Sequence, residues 1–324
     1  MSDFSCPVVE IKTIEKHPNA DKLEIVKIGG YNVISQIGQF STGQTVIYIP
    51  ENAIVPDNLL EEMNLTRRLS GKEKNRVKAI KLRGILSEGL IYPNFSHKPV
   101  GTDCKEKLGI IKYEPPIPTQ LSGKVKPGLT YKGFDVENIK KDPTVLSHKS
   151  YVRITEKLHG TYCQIGFHPN GTRTITSKGL ANKGLVFADD SSIYTKVVNE
   201  LPDLGYCMNT ESFYFFGEIV GPRIQKMTYD LSRPTFYLFA CWAKSIGFWN
   251  SDAIAQAYKI NHVPILYTGY YDSEYCEKLA QEPSELNGGL REGIVVTDMW
   301  DLSVRAKFIN PKYLLSKNSE GAIQ

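Results

Sequence analysis

Of the residues able to do chemistry, Lys157 has the most informative surroundings, ITEKLHGTYCQIGF. Apolar and polar residues alternate up to Glu156-Lys157, and Gly160 then lets the chain turn back into a second strand. The lysine is therefore placed at a strand end beside a tight loop. A free lysine ammonium releases its proton only at about pH 10.4, so a nucleophilic lysine needs neighbouring cations or partial desolvation that favour the neutral amine. Arginine does not permit such tuning. Taken alone, K-x-x-G reads more readily as a solvated strand-end lysine, since short motifs recur by chance.

Three further features bear on that choice. In FYFFGEIVG, Glu218 is enclosed by aromatic and branched residues, and alternation sets Phe216, Glu218 and Val220 on one face. A carboxylate there must be paired, hydrogen-bonded or metal-linked, and a salt bridge to an arginine at the core edge is the plain alternative. Glu292 opens the strand REGIVV in a similar setting, and two such carboxylates suit a hydrated Mg²⁺. In SVRAKFIN, Arg305 and Lys307 project from one face while Val304, Ala306 and Phe308 take the other. Such a basic pair is either a solvated outer face or two contacts to phosphate oxygens that also favour a neutral lysine nearby.

The order of these pieces is harder to obtain by chance than any one of them. Lys157-Leu158-His159-Gly160, Glu218 in GEIVG, the aromatic strand FYLFA, Glu292 in EGIVV and the basic couple Arg305 and Lys307 follow one another along the chain. This resembles the covalent nucleotidyltransferase superfamily of polynucleotide ligases and capping enzymes. EKLHGT behind a barrel-like module is most similar to the ATP-dependent RNA ligases that carry an amino-terminal OB module. The resemblance extends to VKAIKLRGILSEGL in the module, YEPP at the linker and GFDVENIKK after it. His159, where DNA ligases and capping enzymes usually have Asp, favours the RNA ligase branch; Arg305 stands where the superfamily often has lysine, and its planar fork makes a different contact.

The resemblance implies that Lys157 takes AMP from ATP as a phosphoramidate, passes it to an RNA 5′-phosphate, and that a 3′-hydroxyl then displaces AMP to seal the break. It implies ATP and Mg²⁺ or Mn²⁺ as cofactors and a nucleotide-binding set of Glu156, Lys157, His159, Gly160, Lys178, Glu218, Phe236, Glu292, Arg305 and Lys307. Within it, Lys157 is catalytic, Glu218 and Glu292 serve the metal, and Phe236 stacks on adenine with Phe239 as the alternative. A capping guanylyltransferase or DNA ligase is the nearest enzyme rival; those generally carry an OB domain after the catalytic one, for which no room is expected beyond Lys307. From a different class, the chain could be a nucleic-acid-binding protein with an inert catalytic-looking domain, against which the intact set of lysine, carboxylates and cations argues.

The elements that must position these residues read as an α+β chain of two domains. Residues 8–50 give short strands separated by Pro, Asn, Asp and Gly, followed by a helix candidate at 57–63 and more strand-like sequence, so 1–113 is expected to be an OB-like β-barrel. The Pro- and Gly-rich stretch 114–130 is expected to be a linker. Residues 131–324 are expected to form an antiparallel-sheet nucleotidyltransferase domain with helices at 191–201, 251–260 and 273–281.

A length of 324 residues with 41% hydrophobic and 23% charged residues describes a folded chain, neither disordered nor fibrous. Lys plus Arg at 39 against Asp plus Glu at 35 leaves +4, so an anionic partner must meet a local patch. Arg67, Arg68, Lys72, Lys74, Arg76, Lys78, Lys81 and Arg83 form the densest basic run and are read as contacts to RNA with a break, whether a nicked duplex or nearby ends. The six cysteines, Cys6, Cys104, Cys163, Cys207, Cys241 and Cys276, include no C-x-x-C pair, which fits reduced thiols in an intracellular, cytoplasmic setting. His17, His97, His148, His168 and His262 lack metal-ligand spacing and are read as surface or packing residues. No signal pattern opens MSDFSCPVVE and no apolar stretch reaches membrane-spanning length, so no membrane partner is expected, and a monomer is.

Overall fold

The computed structural model describes residues 4–94, 97–113, 124–128, 130–131, 134–202 and 211–319. The chain divides into two compact units. The amino-terminal unit is not continuous in sequence: Glu137–Thr144 and the helix Pro311–Ser319 group with it. The second unit takes in the described residues from 124 to 136 and Val145–Asn310. Much of the expected linker, and Cys207, lie outside the described residues. Within 114–130, however, Val125–Pro127 is not linker: it pairs antiparallel with the strand Leu185–Phe187 of the second unit.

The amino-terminal unit is built from short antiparallel strands, as its turn-rich sequence demands. Val8–Glu10, Thr45–Ile49 and Leu90–Pro93 form one sheet, and Thr13–Lys16, Leu23–Ile28 and Tyr31–Gln36 another. Val26, Val33, Val46 and Ile91 close one core cluster, while Val8, Ile49, Val55 and Leu60 close a second against the short helix Asp57–Glu62. Ile28 pairs with Tyr31, so Gly29-Gly30 is a two-residue hairpin turn, and Gly29 takes the positive φ of 56° that such turns need. Segment 137–144 docks on that turn. Gly30 N–H donates to the Lys140 carbonyl at 3.0 Å, and Lys140 Nζ lies 2.5 Å from the buried Glu88 carboxylate.

Two antiparallel sheets make the second unit. Arg305–Ile309, Gly293–Asp298, Tyr151–Lys157 and Ile265–Tyr270 lie side by side in that order in one. The other runs Arg173–Ser177, Thr161–Phe167, Phe213–Val220, Thr235–Ala243 and Gly247–Trp249. Phe213–Val220 is central, and every residue in it is buried except Glu218. Its core side packs Ile165, Phe213, Phe215, Ile219, Phe236 and Leu238 against the helix Ile193–Asn199. The expected helices are present at Ile193–Asn199, Ser251–Tyr258 and Ser273–Leu279. Cys6, Cys104, Cys163, Cys241 and Cys276 are buried free thiols, and among the described residues no helix is long and apolar enough to cross a membrane.

A Cβ on Gly30 would stand 2.8 Å from Lys140 Cα, a contact the backbone must relieve by moving. Gly30→Ala is therefore expected to destabilise the full chain by about 1–3 kcal/mol. Urea unfolding checks this, and an unchanged midpoint would contradict the docking described.

Candidate active site

Strict alternation along Tyr151–Lys157 buries Val152, Ile154 and Glu156 and turns Arg153, Thr155 and Lys157 to the opposite face. Cross-strand partners share a face, and Thr155 pairs with Val295, which pairs with Lys307, while Thr297 pairs with Arg305. Arg305 and Lys307 therefore stand on the lysine's side of the sheet, as the sequence predicted. That face walls a cavity of about 290 Å³ whose lining includes Lys157, Lys178, Glu218, Phe239, Arg305 and Lys307.

Lys157 Nζ donates to Glu292 Oε1 at 2.7 Å, and His159 Nδ1 lies 3.3 Å from Glu292 Oε2. The turn between them is held from outside, because His159 N–H donates to the Tyr229 hydroxyl at 2.6 Å. Gly160 is required by close approach: a Cβ there would meet the Ile219 carbonyl oxygen at 2.2 Å and Glu218 Cγ at 2.9 Å. Its backbone also hydrogen-bonds the Glu218 carboxylate.

The electrostatics correct one expectation. Desolvation alone would favour a neutral Lys157, yet the charges of Glu292 and Glu218 outweigh it and push the amine above the ordinary lysine range. The groups nearest the amine are carboxylates, so in this arrangement it is an ammonium and not a free base held neutral by cations. Burial raises Glu218 to about 8 against the pull of Lys157, with Glu292 adding to the rise. Burial also penalises the Glu292 anion, but Lys157 and His159 overcome it and hold that carboxyl near about 2.

Aromatic rings stand on and beside the cavity wall, Phe134, Tyr162, Phe239 and Trp249 among its lining. Phe134 lies 5.0 Å from Phe239, centroid to centroid, and the Arg305 guanidinium stacks on Phe248 at 3.9 Å and on Phe134 at 4.8 Å. Burial lowers Arg305 to about 10. Lys178 Nζ pairs with Asp135 at 3.0 Å on the cavity's rim. At the far end, Arg153 donates to Asn250 Oδ1 at 2.8 Å and Ser251 Oγ meets His262 Nε2 at 2.8 Å. Arg153 and Tyr162, placed by strand register, and Phe134 and Asp135, which lie in the GFDVENIKK segment quoted for the resemblance without a role, were not found by sequence reading.

Three sequence assignments change. Phe236 is 1% exposed and pairs with Ile219, so it packs into the core behind the sheet, whereas Glu218 pairs with Tyr237 and puts Tyr237 and Phe239 on its own side. Phe239, the alternative, is the ring in the cavity. Glu156 belongs to the strand that walls the cavity, but its carboxylate turns to the other face, where Ser284 Oγ donates to it at 2.5 Å and Glu285 N–H at 2.8 Å. In the basic run, Arg76 stacks on Tyr113 at 3.6 Å and donates to Asn52, so it is a packing residue. Lys78 is half-buried and engaged, while Arg67, Arg68, Lys72, Lys74, Lys81 and Arg83 are exposed.

Among the described residues no three His, Cys, Asp or Glu side chains cluster as a metal cage. Glu218 and Glu292 nevertheless fit a hard divalent cation, since both are oxygen donors acting on the same amine; such an ion would keep waters or take substrate oxygens for the rest.

A strand-end lysine bonded to the buried Glu292, with half-buried Glu218, aromatic rings and two cations lining the same cavity, is the layout of a covalent nucleotidyltransferase. Residues 150–309 match the family model described as RNA ligase, and residues 6–94 match one described as an OB-fold domain. The second unit thus belongs to the RNA ligase family, preceded by an OB-fold domain. Among solved structures, a Naegleria gruberi RNA ligase with PPi has a TM-score of 0.82 and 22% identity, covering 98% of this chain and 99% of that one. A mutant of the same ligase with AMP and Mn has a TM-score of 0.81 and 22% identity, covering 96% and 98%. These likenesses show a shared fold. None of the curated proteins compared matches the chain.

The Glu218 carboxyl gives a pH test. An unfolded chain loses this proton at about pH 4.3, the folded one only near 8, so its contribution to stability is whole below the first value and falls as pH rises towards the second. Metal-free wild-type protein should lose thermal stability between roughly pH 5 and 8 relative to Glu218→Gln, which does not titrate. Parallel melting curves across that range would contradict the assignment.

Proposed function

We propose that the chain is an ATP-dependent RNA ligase that joins an RNA 3′-hydroxyl to a 5′-phosphate through a lysyl-AMP intermediate. The observation that carries this is the cavity placement of Lys157 against Glu292, inside a segment that matches the RNA ligase family. ATP, with Mg²⁺ or Mn²⁺, is the cofactor reading, and it agrees with the AMP, ATP and Mn named for similar structures.

Before attack, the Lys157 ammonium must give up a proton. Glu292 accepts its hydrogen bond and aligns the nitrogen, but its carboxyl, held at about 2, binds a proton too weakly to keep it, so the proton passes on to solvent. The neutral nitrogen then bonds to the α-phosphorus as the bond to the β-phosphate oxygen breaks and pyrophosphate leaves, and the nitrogen gives up a second proton to solvent as the phosphoramidate forms. Next, an oxygen of the RNA 5′-phosphate attacks the adenylyl phosphorus and Lys157 departs, regaining a proton. Finally the 3′-hydroxyl attacks the 5′-phosphorus, loses its proton and expels AMP. Arg305 and Lys307 face the transferring phosphate, Phe239 stacks on the adenine, and Lys178 lies at the rim. A divalent ion held through Glu218 and Glu292 would supply positive charge to the triphosphate. The exposed lysines and arginines between Arg67 and Arg83 contact the phosphates of broken RNA, which a monomer engages in the cytoplasm.

Incubation with α-labelled ATP and Mg²⁺ should leave label on the protein that Lys157→Ala abolishes, and α-labelled GTP should not substitute. Phe239→Ala should weaken ATP binding by about 1–3 kcal/mol while Phe236→Ala should act on folding, costing about 3–5 kcal/mol. Label retained by Lys157→Ala, or absent from wild type with either metal, would overturn the reading.

A further inference from the structure

Behind the sheet that carries Lys157 lie two charged side chains turned away from the cavity. The side chains of Glu156 and Arg291 are both 0% exposed. Alternation gives Glu156 an inward position beside Val152 and Ile154, where an apolar residue would need no partner. Replacing a buried ion pair by apolar residues is often neutral or stabilising, so stability alone does not account for this one.

Their places in the chain do. Glu156 directly precedes Lys157 and Arg291 directly precedes Glu292. The ladder between the two strands ends at Lys157 opposite Gly293, so Glu292 lies one residue beyond the last paired position. Other contacts must fix it. The Glu156 carboxylate accepts from Ser284 Oγ and from Glu285 N–H, and it stands 3.7 Å from Arg291 Nε. Arg291 Nη1 donates to the Leu279 carbonyl at 2.7 Å, and the Arg291 carbonyl accepts from Asn310 Nδ2 at 3.1 Å. Asn310 N–H donates to the Glu292 carbonyl at 3.0 Å. The stretch 284–292 is thus tied to the lysine's strand on one side and to the end of the basic strand on the other.

We propose that Glu156 and Arg291 are positioning residues that keep Glu292 within hydrogen-bonding distance of Lys157 for lysine adenylylation. This rests on the adenylyltransferase reading above. Neither side chain faces the cavity; each acts through the backbone of its neighbour. Losing either charge frees stretch 284–292, Glu292 recedes, and Lys157 samples rotamers that do not face the α-phosphorus. The contacts that hold ATP stay in place, so the loss falls on the chemical step.

Single-turnover labelling of the full chain with α-labelled ATP and Mg²⁺ tests this. Glu156→Gln and Arg291→Met should each slow label formation by roughly 10- to 100-fold while the ATP concentration for half-maximal rate stays within about twofold. The double variant should be no slower than the slower single one, and Arg291→Lys should recover most of the rate. Ser284→Ala keeps both charges, removes one hydrogen bond and decides the matter where a charge variant unfolds; it should show a smaller loss of the same kind. A wild-type rate in folded Glu156→Gln or in Ser284→Ala, or a loss seen wholly as weaker ATP binding, would overturn the proposal. No labelling of the wild-type chain would instead overturn the adenylyltransferase reading.

Discussion

The ion pair between Lys157 and Glu292 is the constraint on which the rest of the second unit depends. A nucleophilic amine must be aligned and must also lose its proton, and these demands conflict: the carboxylate that aligns it by a 2.7 Å hydrogen bond also favours the charged form. Desolvation pushes the other way, and in this arrangement the two carboxylates win. The site therefore stores the lysine as its conjugate acid. Reaction requires that the negative charge around it be drawn off or shared, which makes adenylylation sensitive to whatever binds Glu218 and Glu292.

The pleat of Tyr151–Lys157 serves two purposes at once. Its cavity face carries Arg153, Thr155 and Lys157, and its buried face carries Val152, Ile154 and Glu156. Neighbouring strands continue the division, with Arg305 and Lys307 on the reactive side and Ala306 and Phe308 behind. The opposite sheet does likewise, turning Glu218 and Phe239 to the cavity while Ile219 and Phe236 fill the core. Rigid packing behind each sheet is what allows long, charged side chains in front to keep a fixed geometry.

Much of this was legible in the sequence because the lysine, Glu218 and the basic couple sit on strands and Glu292 immediately precedes one. Parity between strands was not legible. Choosing between Phe236 and Phe239 needs the register of Thr235–Ala243 against Phe213–Val220, and a register shift between Phe216 and Gly217 defeats simple counting. The resemblance put Glu156 in the nucleotide set, though period two sends its side chain to the face opposite Lys157. The edge strand Ile265–Tyr270 alternates poorly because much of it is exposed, so its sequence carries no clear strand pattern. The return of Glu137–Thr144 to the amino-terminal unit depends on Gly30 and Glu88, far away in sequence, so no local pattern announces it.

The protonation state of one nitrogen tests the account most directly. In protein labelled with ¹⁵N at lysine side chains, the Lys157 Nζ resonance, assigned by its loss in Lys157→Ala, can be followed against pH without metal or nucleotide. The account predicts an ammonium that persists above the ordinary lysine midpoint of about 10.4 and a lower midpoint in Glu292→Gln. A nitrogen that titrates below that value in the wild-type chain, with no response to loss of the Glu292 charge, would contradict it.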